Sequence, residues 1–160
     1  EPTAILRRSR ATHDAGGILV DGVDRLLTVL AKCCRPAPPD AIMGFVTHGR
    51  GISIHRANCL TLKRVSSRAP ERLIPADWGR QESSLFGVEI EVQARERPGL
   101  LRALSDVLAR DKLGVTAITT QQRDAHARFR LTVEVRDTAD IQRAIFHLME
   151  VRGVVEARRV

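Results

Sequence analysis

The 160-residue sequence has no tyrosine, one tryptophan and four phenylalanines. A fold that reads unpaired bases by stacking them on aromatic rings needs more aromatic surface than that. Cysteine is also scarce, with Cys33, Cys34 and Cys59 as the whole complement. An odd number containing two neighbours argues against a disulfide framework and for a reducing compartment, so the expected location is the cytoplasm. No apolar run approaches the roughly 18 residues of a membrane helix, and the first residues lack the pattern of a secretory signal. The chain starts at Glu1 without methionine and reads as a piece of a longer protein.

Positive charge is what the chain has in excess: net +7 with a pI near 10.5. Residues 1–80 hold 13 Lys and Arg against 7 Asp and Glu, or +6, and residues 81–160 hold 13 against 12, or +1. Attraction for a polyanion therefore belongs to the first half, and arginine, the dominant cation, suits forked contacts to phosphate. A hydrophobic content of 43% allows packed cores.

Residues 1–16 carry Arg7, Arg8 and Arg10 without periodicity and read as a basic linker. Residues 17–80 form a first domain. Ile18–Val20 reads as a short strand, and Val23, Leu26, Leu27 and Leu30 fall on one face of a helix capped by Asp21 or Asp24. Pro36, Pro38 and Pro39 forbid its continuation. Ile42–His48 and Ile52–Arg56 are strands around a Gly49-Arg50-Gly51 hairpin, with Ser53 and His55 sharing a face. Ala57–Val65 reads as a helix with Asn58 as its cap and Cys59 in its first turn, Leu73–Trp78 as a strand, and 79–84 as a boundary.

Residues 85–160 form a second domain. Val88, Ile90, Val92 and Ala94 alternate with Glu89, Glu91 and Gln93, and Phe129, Leu131, Val133 and Val135 alternate with charged residues. Between and after these strands lie a helix bearing Leu101, Leu104 and Leu108, a strand over Val115–Gln121, and a helix capped by Asp137 or Thr138 and closed by Gly153. Val154–Val160 is the last strand. The order is βαββαβ, a ferredoxin-like sandwich, and the fold class is α+β.

Three groups of residues carry chemistry. Cys33, Cys34, His55 and Cys59 supply three sulfurs and one nitrogen in two local pairs, a closed shell suited to structural zinc. The plainer reading, two small buried cysteines at a helix end, stays open. A Cys–His catalytic pair is disfavoured, because a closed shell leaves no position for substrate and nothing in the sequence orients His55. Arg35, Arg50, Arg56, Lys63 and Arg64 surround this set as candidate RNA-phosphate contacts, each of which could equally be a solvated charge. The turn Glu96-Arg97-Pro98-Gly99-Leu100-Leu101 opens a helix where free amides suit a carboxylate, or it is simply a tight turn.

The segments Leu30-Ala31-Lys32-Cys33-Cys34-Arg35-Pro36 and Gly44–Cys59 resemble the cysteine-bearing, zinc-finger-like domain of the RelA/SpoT family. The βαββαβ half, with Arg97-Pro98-Gly99-Leu100-Leu101, is similar to that family's ACT domain. The wording Gly-Phe-Val-Thr, then Gly-Arg-Gly-Ile-Ser, leans toward the synthetase-dominant RelA branch. The resemblance implies a GTP pyrophosphokinase of the stringent response whose catalytic domains precede this region, so no catalytic residue is expected here. It implies a regulatory region that docks on the ribosome and senses deacylated tRNA in the A site, with a zinc-bearing cysteine domain touching large-subunit ribosomal RNA. Two alternatives accompany it: an ACT module that binds an amino acid near Glu96–Leu101, or a homodimerisation module. ACT domains that bind amino acids often carry Asp or Asn before the turn, where this chain has Glu96.

Overall fold

The computed structural model describes residues 18–20, 27–79 and 84–160. It divides into two compact units, one reaching Phe86 and one starting at Gly87. The expected basic linker, and the part of the expected first helix at residues 21–26, lie outside the described residues.

In the first unit, β1 (Ile18–Val20), β2 (Thr28–Leu30), β3 (Ile42–Val46), β4 (Ile52–Arg56) and β5 (Leu73–Trp78) make one sheet in the order β1-β5-β3-β4-β2. The end of the expected first helix is thus a strand. Thr28–Leu30 pairs in parallel with Ile52–Ile54, a long-range pairing that overrides the helical spacing of its leucines. β3 and β4 form the expected hairpin, with Gly44 opposite Ile54 and Met43 opposite His55.

Alternation sorts this sheet into two faces. Ile18, Val20, Ile42, Ile52, Ile54 and Ala76 form one core cluster. Met43, Phe45 and Leu73 pack on another with Ala31, Cys34, Cys59 and Leu62, and this face is covered by α1 (Leu60–Arg68). The helix begins later than the sequence suggests. Cys59 is its cap, its Sγ accepting the Leu62 N–H at 3.4 Å, so Asn58 does not cap it. A one-turn 3-10 helix (Pro70–Arg72) then leads into β5.

The second unit has the expected ferredoxin-like order: β6 (Phe86–Arg95), α2 (Leu100–Arg110), β7 (Gly114–Arg123), β8 (His126–Val135), α3 (Thr138–Met149) and β9 (Val154–Arg159). Its sheet runs β7-β8-β6-β9. Val88, Ile90, Val92, Leu131 and Val133 are buried, as are Leu104 and Leu108 of α2 and Ile141, Ala144 and Leu148 of α3. α3 ends at a Glu150 cap, three residues before the expected stop at Gly153.

Two carboxylates anchor this unit. Asp137 caps α3, its Oδ1 accepting the N–H groups of Ala139 and Asp140. Asp140 is only 1% exposed and accepts four bonds: from the Arg136 backbone N–H (3.0 Å), Arg136 Nε and Nη2 (both 3.1 Å), and Arg143 Nη1 (2.9 Å). The Arg136 side-chain bonds, against the opposing effect of burial, hold its carboxyl well below the usual carboxylate range. Because the folded-state value is depressed, the stabilisation is complete above the unfolded value of about 3.9 and is lost as pH falls below it. The urea midpoint of the native chain should therefore fall toward that of Asp140→Asn below pH of about 4. A gap that keeps its full neutral-pH size down to pH of about 2 would show that Asp140 acts by shape and not by charge.

Gly51 and Gly49 in the β3–β4 turn both have positive φ, +76° and +82°. A Cβ on Gly51 would lie 2.6 Å from the Leu27 carbonyl oxygen, whereas one on Gly49 meets nothing within 4 Å. Gly49→Ala should cost about 1 kcal/mol from backbone strain alone. Gly51→Ala should cost at least about 2 kcal/mol in urea unfolding, because the hairpin must also move off β2. Equal costs would mean that the close approach to Leu27 is readily relieved.

Candidate metal centre

Three local structures converge on one face of the first sheet. After β2 the chain makes a single turn in which the Arg35 N–H bonds the Ala31 carbonyl at 3.0 Å, and Arg35 itself has φ +44°. This turn lets two adjacent cysteines aim at a common point, whereas neighbours in an extended strand point to opposite faces. β4 supplies His55 on the face opposite its isoleucines, and the start of α1 supplies Cys59. The four ligand atoms all lie within 4.8 Å of one another, with Cys33 exposed and the other three residues buried.

The spacing fits a tetrahedral ion. Cys33 Sγ lies 3.4 Å from His55 Nδ1 and 3.6 Å from Cys59 Sγ, and Cys34 Sγ lies 3.9 Å from His55 Nδ1. Bonds of roughly 2.3 Å to sulfur and 2.1 Å to nitrogen would set S···S edges near 3.8 Å and S···N edges near 3.6 Å. The cluster could hold a metal ion.

The surroundings support that use. Ser53 Oγ lies 2.9 Å from His55 Nε2 and holds the ring with Nδ1 toward the sulfurs. Cys34 Sγ accepts the Arg56 N–H at 3.3 Å, and Cys59 Sγ accepts the Leu62 N–H. Burial pushes the Cys34 thiol up to about 12 and raises Cys33 as well. At Cys59 burial acts in the same upward sense, but the Leu62 N–H, the neighbouring thiols and the Thr61 N–H outweigh it and bring the thiol below its ordinary value. Burial lowers His55, keeping the ring neutral and able to donate a lone pair. Gathering three desolvated sulfurs as thiolates calls for a cation among them.

The four residues singled out in the sequence are the ones the fold brings together, but their supporting contacts were not foreseen. Ser53 was placed on the His55 face without a role, although a hydroxyl two residues from a histidine on one strand face is a readable signal. The backbone donors from Arg56 and Leu62 have no sequence signature.

The five basic candidates do not form one group. Lys63 and Arg64 are exposed on α1, next to Cys59. Arg35 and Arg56 are half-buried beside the cysteines. Arg50 is exposed at the hairpin tip, beyond the other end of β4, about 15 Å or more along the strand from Arg56 at roughly 3.3 Å per residue. Near it His48 Nδ1 bonds Arg72 Nη2 at 2.7 Å.

The Glu96–Leu101 turn is tied down by its own side chains. Glu96 Oε1 accepts the Arg97 N–H at 2.9 Å, and Arg97 Nε donates to the Arg152 carbonyl at 2.8 Å. Leu100 is buried while Pro98, Gly99 and Leu101 are exposed. Of these six residues only Arg97 lines the groove of about 990 Å³ along α2 and α3.

Residues 18–79 match the RelA/SpoT RIS domain, and residues 82–159 match the ACT domain. The chain is 38% identical over 151 residues to a GTP pyrophosphokinase of Escherichia coli (strain K12), covering 93% of this chain and 20% of that protein. It is 39% identical over 160 residues to the bifunctional (p)ppGpp synthase/hydrolase RelA of Mycobacterium tuberculosis, covering 99% of this chain and 21% of that protein. It thus spans about a fifth of the length of these relatives. Among solved structures, the ACT domain from a GTP pyrophosphokinase of Chlorobium tepidum aligns with 48% of this chain and 99% of its own, at 18% identity and a TM-score of 0.44.

Replacing Ser53 by alanine should leave the fold intact and weaken metal binding about tenfold, as loss of a second partner on a ligating histidine does elsewhere. Competition against a chromophoric chelator measures this. Unchanged affinity would mean that the β4 backbone alone orients the ring.

Proposed function

From the premise that this chain pairs a RelA/SpoT RIS domain with an ACT domain, and so belongs with the RelA-like proteins, we propose that it is a non-catalytic regulatory region of a (p)ppGpp synthetase of the stringent response. It docks on the ribosome at large-subunit RNA and deacylated A-site tRNA, and it controls catalytic domains that precede it in the full protein. The observation that carries the reading is the closed Cys33–Cys34–His55–Cys59 shell in a basic domain joined to an ACT domain. With four protein donors facing one point, the shell has no place for a substrate, which favours a structural ion over a catalytic one.

Zinc is the ion whose softness and geometry suit three thiolates and an imidazole. Cys33, Cys34, His55 and Cys59 hold it, and it ties the turn after β2 to β4 and α1. The domains then run over 17–80 and 85–160. The exposed cations Arg50, Lys63 and Arg64 are the favoured RNA-phosphate contacts, while Arg35 and Arg56, half-buried beside the metal site, serve mainly its surroundings. A second reading is an amino-acid-sensing or dimer-forming ACT module. The groove beside Arg97 favours the first form, and the exposed Phe146 and Met149 on α3 favour the second.

Pelleting with ribosomes tests the docking reading. Combined Arg50→Glu, Lys63→Glu and Arg64→Glu changes sit on exposed positions and should leave the fold intact. Ribosome affinity should fall at least tenfold, and the slope of log affinity against log salt should become shallower by about 2, as expected when up to three phosphate contacts are lost. Unchanged affinity and slope would remove these residues from the RNA interface.

A further inference from the structure

All three cysteines of the chain lie in the metal cluster, yet they are not equivalent. Cys33 is the exposed one, and Cys34 and Cys59 are buried. The Cys33 and Cys59 sulfurs are 3.6 Å apart, essentially in contact, and a disulfide bond needs about 2.05 Å. They come from different local structures, the turn after β2 and the cap of α1, so a bridge between them closes no short ring. Cys34 is placed differently: its buried sulfur accepts the Arg56 N–H at 3.3 Å. A bridge between Cys33 and Cys34 would also have to close a small ring through the rigid peptide bond joining them.

We propose that Cys33 and Cys59 are a peroxide-sensitive pair, with Cys33 the residue first modified and Cys59 the resolving thiol. The oxidant is hydrogen peroxide or an alkyl hydroperoxide that reaches the exposed Cys33 sulfur. That sulfur attacks the peroxide, the O–O bond breaks, and Cys33 becomes a sulfenic acid with release of water or an alcohol. The Cys59 sulfur then attacks the Cys33 sulfur, an S–S bond forms, the S–O bond breaks, and hydroxide leaves as water with a thiol proton. With hydrogen peroxide, two thiols and one oxidant give one disulfide and two waters.

Two of the four donors are consumed in this step. Cys34 and His55 alone make a poor site, so any bound ion leaves. The release arm rests on the zinc reading above, whereas the disulfide arm does not.

The test uses the unsubstituted chain, so no variant has to fold. Metal content is measured first. The protein then receives one equivalent of hydrogen peroxide, free thiols are alkylated, and peptides are mapped by mass spectrometry while a chromophoric chelator reports released zinc. The expected result is a Cys33–Cys59 linked peptide, Cys34 alkylated, one zinc released per disulfide, and zinc binding restored by dithiothreitol. A disulfide that includes Cys34, Cys33 over-oxidised while Cys59 stays free, or three unmodified thiols would each overturn the pairing. A Cys33–Cys59 disulfide in protein that held no zinc beforehand would sustain the pairing and sink the zinc reading instead.

Discussion

The first unit depends on one constraint: three sulfurs and an imidazole nitrogen, drawn from a turn, a strand and a helix cap, must share a space under 5 Å across. Each contributing segment is too short to hold its place alone. β2 has three residues and β4 has five, and α1, with nine residues, falls below the length at which an isolated helix is stable. Desolvation penalises thiolates, so the cluster either keeps protons on its sulfurs or takes a cation that satisfies all four donors at once. The backbone N–H bonds to Cys34 and Cys59 and the Ser53 hydroxyl on His55 orient the donors.

The second unit is built on a different balance. Its core comes from alternating apolar strands and two amphipathic helices, and its polar devices are carboxylate–arginine clusters. Asp140 fastens the start of α3 to the end of β8. On the open face of the sheet Glu91, only 3% exposed, lies 2.7 Å from Arg158, 3.5 Å from Arg130 and 3.6 Å from Arg128. Arg158 is its main partner, and these arginines outweigh burial to keep the Glu91 carboxyl below its ordinary value. Arg128 and Arg130 remain about half exposed, so each such pair contributes little by itself. Together they join β8, β6 and β9 across the face. An RNA-stacking sheet would present aromatic rings there, and this one presents salt-bridged side chains.

Much of this was readable in advance. The donor set Cys33, Cys34, His55 and Cys59 followed from residue type and clustering, and the βαββαβ order followed from alternation and helical spacing. The cap of α3 was legible as Asp137 or Thr138, because both residue types favour that position before an amphipathic run, and the structure puts it at Asp137. Two of the misreadings share a cause in long-range contacts, and the third is local. Thr28–Leu30 sat inside a helical leucine pattern, but its conformation is set by parallel pairing with β4, more than twenty residues away in sequence. Glu91 alternated as a solvent-facing residue, and only the arrival of arginines from two other strands buried it. Cys59 was placed inside the helix it caps, because sulfur is not among the usual capping groups.

The sequence by itself determined which residues could bind a soft metal, which stretches could be half-buried strands, and where positive charge accumulates. These follow from residue chemistry and from periodicities of two and 3.6, which depend only on near neighbours in the chain. The tertiary structure alone decided that adjacent cysteines can face one point, because a left-handed Arg35 closes the turn behind them. It alone placed Ser53 against His55, set Cys33 against Cys59, and moved Arg50 to the far end of β4 from the cysteine cluster. Those outcomes depend on strand register and on contacts between segments distant in sequence, which local pattern does not encode.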